Sequence, residues 1–147
     1  MFSFFTFYDL SIEISNLIFV ILICVSSDIG GFVFGRLLKG PKITKISPNK
    51  TYAGMIGAYL LSLIYLSIIV NYIDNIQFSF QFIFITILLS TISQVGDIIV
   101  SYFKRQARIK NTGSLIPGHG GLLDRIDGMI FAVPALYLIE LIGYIKI

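Results

Sequence analysis

Apolar residues fall into four long stretches separated by short polar segments. The stretches run from about Ile14 to Phe34, Met55 to Ile73, Phe78 to Phe103 and Met129 to Ile145. A helix needs about 20 residues to cross the hydrocarbon core of a bilayer, and each stretch is near or beyond that length. The pattern predicts an all-α integral membrane protein with about four transmembrane helices. Residues 1–147 read as one membrane-embedded domain, with no repeat, low-complexity tract or second domain. The start lacks the basic segment and small-residue cleavage site of a signal peptide.

Composition sharpens this reading. Of 147 residues, 56% are hydrophobic but only 13% are charged, against roughly a quarter charged in a soluble domain. The single cysteine, Cys24, excludes a disulfide scaffold. The net charge of +3 is concentrated rather than spread. Arg36, Lys39, Lys42, Lys45 and Lys50 lie in one inter-span segment, and Lys104, Arg105, Arg108, Lys110 and Arg125 in another. Two basic loops between apolar spans read as cytoplasmic, whereas the linker Asp74–Gln77 carries no Lys or Arg and reads as external. The expected topology is N-out, C-out. Such loops suit membrane lipids with anionic heads and phosphorylated substrates rather than nucleic acid.

Ionisable groups inside spans are costly and mark functional sites. Two are singled out here: Asp28 toward the cytoplasmic end of span one, and Asp97 toward the same end of span three. Ser90, Gln94, Asp97, Ser101 and Lys104 recur at helical spacing, with Arg108 one turn beyond, and so predict a polar stripe on one helix face. Carboxylates for a metal and cations for phosphate are what a phosphorylated ligand requires. Polar residues also glue membrane helices together, which accounts for Ser90 and Gln94 without any ligand.

The segment Lys110–Asp127 adds Gly118, Gly120 and Gly121, which let backbone N–H groups approach an anion. Asp124 and Asp127 share a face if a helix begins near Leu123. Opposite Asp97, they would make an oxygen-ligand site for a divalent cation. His119 alone is weak evidence, and zinc is not expected with one His and one distant Cys. Ser47-Pro48 reads as the capped start of span two, with Lys50 and Thr51 beside it where a phosphate could bind.

Taken together, these residues resemble the phosphatidate cytidylyltransferase (CDP-diacylglycerol synthase) family. The resemblance runs through Ser101, Lys104-Arg105, Lys110, Gly113, Pro117-Gly118-His119-Gly120-Gly121, Asp124-Arg125 and Asp127. Two further elements are Ser27-Asp28 through Ser47-Pro48-Asn49-Lys50-Thr51, and Gly96-Asp97. The chain departs from the family pattern at Asn111, Val100 and Ala53 and lacks the family's usual N-terminal helices.

The resemblance implies an enzyme that joins CTP and phosphatidate to give CDP-diacylglycerol and pyrophosphate at the cytoplasmic face of the inner membrane. It implies Mg²⁺ on Asp97 and Asp124, with Asp127 and Asp28 nearby. Lys104, Arg105, Lys110 and Arg125 would neutralise phosphates, and His119, Gly120 and Gly121 would cradle one. Ser47, Lys50 and Thr51 would help to bind substrate phosphate. Four spans offer little wall for a lipid cavity, which makes a homodimer one expected arrangement. Two alternatives stay open: a non-catalytic or partner-dependent homologue, and a related CTP-dependent lipid enzyme.

Overall fold

The structure is a computed structural model that describes residues 2–44, 47, 50–72, 80–109 and 126–141, with backbone alone over 2–13 and at Tyr72. Among the described residues it is all-helical: α1 (Phe2–Leu38), α2 (Tyr52–Tyr72), α3 (Phe80–Gln106) and α4 (Met129–Leu141). Ile14–Leu38, Tyr52–Asn71 and Phe80–Gln106 are each long and apolar enough to cross a membrane. The protein is therefore a multi-pass membrane protein. The fourth expected span is represented by the 13 residues of α4, about 20 Å of helix; residues 142–147 lie outside the described residues. So do residues 73–79, including the linker expected to be external.

The helix ends differ from the hydropathy pattern in an instructive way. Helix α1 continues past Phe34 through Gly35-Arg36-Leu37-Leu38. Hydropathy drops at Arg36, but the backbone does not stop until Lys39, which adopts a left-handed φ of 44°. Helix α3 ends at Gln106 rather than carrying the polar stripe onward. Arg108 has a φ of 56° and so lies beyond the helix, off the predicted face.

The core is formed by α1, α3 and α4, where Val20, Ile23, Cys24, Ile85, Leu89, Ala132 and Leu136 are buried together. Many large apolar side chains stay exposed, among them Ile18, Phe32, Ile64 and Phe84. That is the arrangement expected where lipid is the solvent. Polar side chains on these helices satisfy themselves locally: Thr86 and Thr91 donate to the carbonyls of Phe82 and Ile87, and Ser67 donates to that of Leu63. Far from the basic loops, the buried Asn16 amide donates to Glu140 Oε1 at 2.5 Å and ties α1 to α4. Glu140 is an acid inside an apolar stretch, and the hydropathy reading did not single it out.

Helix α2 packs chiefly on α1, and the seam depends on backbone-to-backbone approach. A Cβ on Gly30 would collide with the Gly57 carbonyl and stand only 2.9 Å from Ala58 Cα, whereas one on Gly31 would meet just the Gly54 carbonyl at 3.8 Å. Small residues permit this closeness between membrane helices. Substituting Gly30→Val should therefore destabilise the folded protein by about 1–3 kcal/mol, the usual scale of overpacking, while Gly31→Ala should leave it nearly unchanged. Thermal unfolding in detergent of both variants checks this; equal midpoints would contradict the seam.

Candidate active site at one end of the bundle

The first basic loop is a folded hairpin rather than a loose connection. Lys42 and Thr51 form an antiparallel bridge. Ile43 N–H donates to the Lys50 carbonyl at 2.9 Å, and Tyr52 N–H to the Pro41 carbonyl at 3.1 Å. A turn precedes Lys50, with its N–H donating to the Ser47 carbonyl at 3.1 Å and Ser47 N–H donating to Thr44 Oγ1 at 3.2 Å.

The expected helix start at Ser47-Pro48 is corrected here. Helix α2 begins at Tyr52, and Thr51 is the capping residue, its Oγ1 accepting the Gly54 N–H at 3.1 Å. A threonine three residues before the amide it binds caps by the same geometry as a serine. The hairpin ladder runs through Thr51 and holds Ser47 back in the turn.

This cap fixes Lys50, the residue before it, over α3. Lys50 Nζ lies 3.0 Å from Asp97 Oδ2 and 3.2 Å from the Gln94 carbonyl oxygen. The pair is partly enclosed, the two side chains being 26% and 17% exposed. Asp97 Oδ1, by contrast, is buried and has no hydrogen-bond partner among the described residues; neither has Ser93 Oγ one turn earlier. Both face Gly128, where an added Cβ would stand 2.8 Å from Asp97 Oδ1. Glycine at position 128 is thus the condition for Asp97 to sit where it does.

A second ion pair adjoins the first. Lys104 Nζ reaches Asp127 Oδ2 at 3.3 Å, joining the end of α3 to the turn that leads into α4. The other Asp127 oxygen accepts the Gly128 N–H at 3.1 Å. The carboxylates of Asp28 and Asp127 lie within electrostatic reach of Asp97 and of each other. Among the described residues Asp28 makes no ion pair and reaches the cluster through space.

Asp28, Lys50, Thr51, Gln94 and Asp97 line the polar side of a cavity of about 190 Å³, with Phe32, Met55 and Ala58 on its apolar side. Beneath it, Gln94 Nε2 donates to Ser90 Oγ at 3.3 Å, and Ser90 Oγ is 3.0 Å from Ser27 Oγ. The polar stripe of α3 therefore splits by depth. Its inner members bond protein to protein, Ser90 to Ser27 on α1 and Gln94 to Ser90 within α3; its outer members, Asp97 and Lys104, hold ion pairs.

The structure brings together Asp28, Lys50, Thr51 and Asp97 in one cavity, with Lys104 and Asp127 beside it. Ser47 shapes the turn and is not part of the cavity wall. Arg105 is exposed at the end of α3. Lys110, His119, Gly120, Gly121, Asp124 and Arg125 lie outside the described residues. Sequence reasoning missed the Gln94 main-chain carbonyl as a partner for Lys50 and the apolar wall of Phe32 and Met55. No residue type announces a carbonyl contact. The wall depends on α1 and α2 lying side by side, which hydropathy alone does not give.

Comparison with known proteins gives the family of the chain. The model of the Cytidylyltransferase family matches residues 1–142. A phosphatidate cytidylyltransferase of Staphylococcus saprophyticus is 38% identical over 124 residues, covering 84% of this chain and 48% of that protein. Phosphatidate cytidylyltransferases of Staphylococcus epidermidis and Staphylococcus aureus are 36% and 35% identical over 139 residues, covering 93% of this chain and 54% of each relative. The chain thus spans about half the length of the curated relatives it matches. A paired lysine and aspartate at the mouth of a helical membrane bundle, and a match running through nearly all of the sequence, lead to one conclusion: the chain belongs to the cytidylyltransferase family.

Proposed function

We propose that the protein transfers a cytidylyl group from CTP to phosphatidate, making CDP-diacylglycerol and pyrophosphate. The observation that carries this reading is the pairing of Lys50 with Asp97 and of Lys104 with Asp127 at one end of the bundle. Acid and base are gathered there from three separate segments, beside a cavity with one polar and one apolar side. Relatives named phosphatidate cytidylyltransferase support the substrates.

The chemistry asks little of a protein nucleophile. An oxygen of the phosphatidate phosphate attacks the α-phosphorus of CTP; a P–O bond forms, the bond to the β-phosphate bridge breaks, and pyrophosphate leaves with the electron pair. The barrier lies in bringing two polyanions together, which positioning and fixed cations lower. Lys50 lines the cavity and Lys104 lies beside it; both can donate to phosphate oxygens, with Arg105, Lys110 and Arg125 adding positive charge from the same segments of the sequence. Phe32, Met55 and Ala58 give the lipid's apolar part a surface that water does not compete for. His119, Gly120 and Gly121 belong to the same reading as a phosphate cradle.

The residues fit a divalent cation, for which Mg²⁺ is the natural choice beside a triphosphate. Asp28 and Asp97 line the cavity and offer it carboxylate oxygens, the donors that a hard divalent cation takes. Three carboxyl groups, Asp28, Asp97 and Asp127, share their surroundings with the two ammonium groups of Lys50 and Lys104. Among the described residues no group of three His, Cys, Asp or Glu could hold a metal ion; on this reading Asp97 and Asp124 would hold the ion, with the triphosphate completing its shell, as Mg²⁺ sites commonly have it. Bound there, the ion would neutralise charge on the triphosphate and on the departing pyrophosphate.

The same reading places the site at the cytoplasmic face of a bacterial inner membrane, because both basic segments lie at that end. A homodimer would extend the lipid-facing wall of the cavity.

CTP- and phosphatidate-dependent formation of CDP-diacylglycerol by the purified chain in lipid micelles tests the reaction. Asp97→Asn should lower kcat about 100-fold or more while leaving a folded, membrane-embedded protein. Near-normal turnover in that variant would contradict the role given to Asp97. Chelation of divalent cations with EDTA should abolish product, and excess Mg²⁺ should restore it; activity that persists in EDTA would remove the ion from the scheme.

A further inference from the structure

The two oxygens of Asp97 face different surroundings. Oδ1 is turned into packed protein, so close to Gly128 that a Cβ there would stand 2.8 Å away. Oδ2 is turned toward the cavity, and on it sits the Lys50 ammonium at 3.0 Å. A cation that enters through the cavity therefore meets the very oxygen that Lys50 holds.

Lys50 is also poorly placed to serve an anion while it stays there. Its ammonium has three donors, and two are engaged, by Asp97 Oδ2 and by the Gln94 carbonyl at 3.2 Å. Its four-carbon stem lets the ammonium swing without moving the backbone, which the hairpin ladder and the Thr51 cap hold in place.

We propose that Lys50 and a divalent cation compete for Asp97, so that cation binding hands the Lys50 ammonium to an incoming phosphate. The inference rests on the reading of Asp97 as a cation ligand given above. A doubly charged ion displaces a singly charged ammonium from a carboxylate by simple electrostatics. The displaced ammonium stays in the cavity because its backbone is anchored, and there its freed donors face the phosphate of the nucleotide. Cation and nucleotide thereby strengthen each other's binding through one side chain. By linkage, each raises the other's affinity by the same factor. Neither binds well alone: the cation finds its oxygen taken, and the phosphate finds the lysine engaged.

Mn²⁺ serves as the probe, its binding read by electron paramagnetic resonance on the full chain in detergent without nucleotide. Lys50→Met should bind Mn²⁺ about fivefold more tightly than the unmodified protein, the scale set by freeing a carboxylate from a partly exposed ion pair. Asp97→Asn should lose that binding. Unchanged or weaker Mn²⁺ affinity in folded Lys50→Met overturns the competition. Unchanged affinity in Asp97→Asn instead overturns the ligand assignment beneath it, so the two failures are distinct.

A second measurement needs no variant. Acylation of Lys50 by a water-soluble amine reagent, read by mass spectrometry, should rise with Mn²⁺ alone and fall again when CTP is added with it. Labelling of Lys50 that Mn²⁺ leaves unchanged overturns the proposal.

Discussion

A carboxylate placed on a membrane-spanning helix must find compensation inside the protein, because the hydrocarbon around it offers none. Asp97 sets that demand on α3, and much of the architecture at this end of the bundle answers it. The hairpin folds so that Lys50 reaches Asp97 Oδ2 at 3.0 Å. About two turns further along α3, Lys104 meets Asp127 and draws the start of α4 against the same place. Three segments distant in sequence are held together by two ion pairs with side chains that are mostly enclosed.

Steric permission matters as much as charge. Gly128 leaves room for Asp97 Oδ1. Gly30 lets α1 and α2 approach until backbone meets backbone, which brings the start of α2, and with it Thr51 and Lys50, over the end of α1 that carries Asp28. The Thr51 cap then fixes the direction in which the chain enters α2. Removing a side chain at two positions and capping one helix end is enough to aim a lysine across the bundle.

The membrane class, three of the spans and the grouping of Asp28, Lys50, Thr51 and Asp97 were all legible in the sequence. The first two follow from the length and purity of apolar runs. The grouping follows because span ends and basic loops meet at one surface. Finer features were not legible, for identifiable reasons. Hydropathy stops at Arg36, but hydrogen bonding carries α1 on to Leu38. Ser47-Pro48 is as good a capping signal as Thr51, and only the hairpin ladder decides between them. Arg108 keeps helical spacing on paper, yet the backbone leaves the helix two residues earlier. Glu140 gave no signal, because its partner Asn16 lies more than a hundred residues away in the sequence.

The chain belongs to the cytidylyltransferase family, and the proposed reaction rests on this arrangement. Its physical premise is that Lys50 and Asp97 interact directly, and a double-mutant cycle on thermal stability addresses this most directly. Lys50→Met, Asp97→Asn and the double variant would be compared with the unmodified chain in the same detergent. The account predicts non-additivity, with the double variant more stable than the sum of the single losses requires, by about 1 kcal/mol. Strictly additive losses would show that the two side chains do not sense each other and would contradict the account.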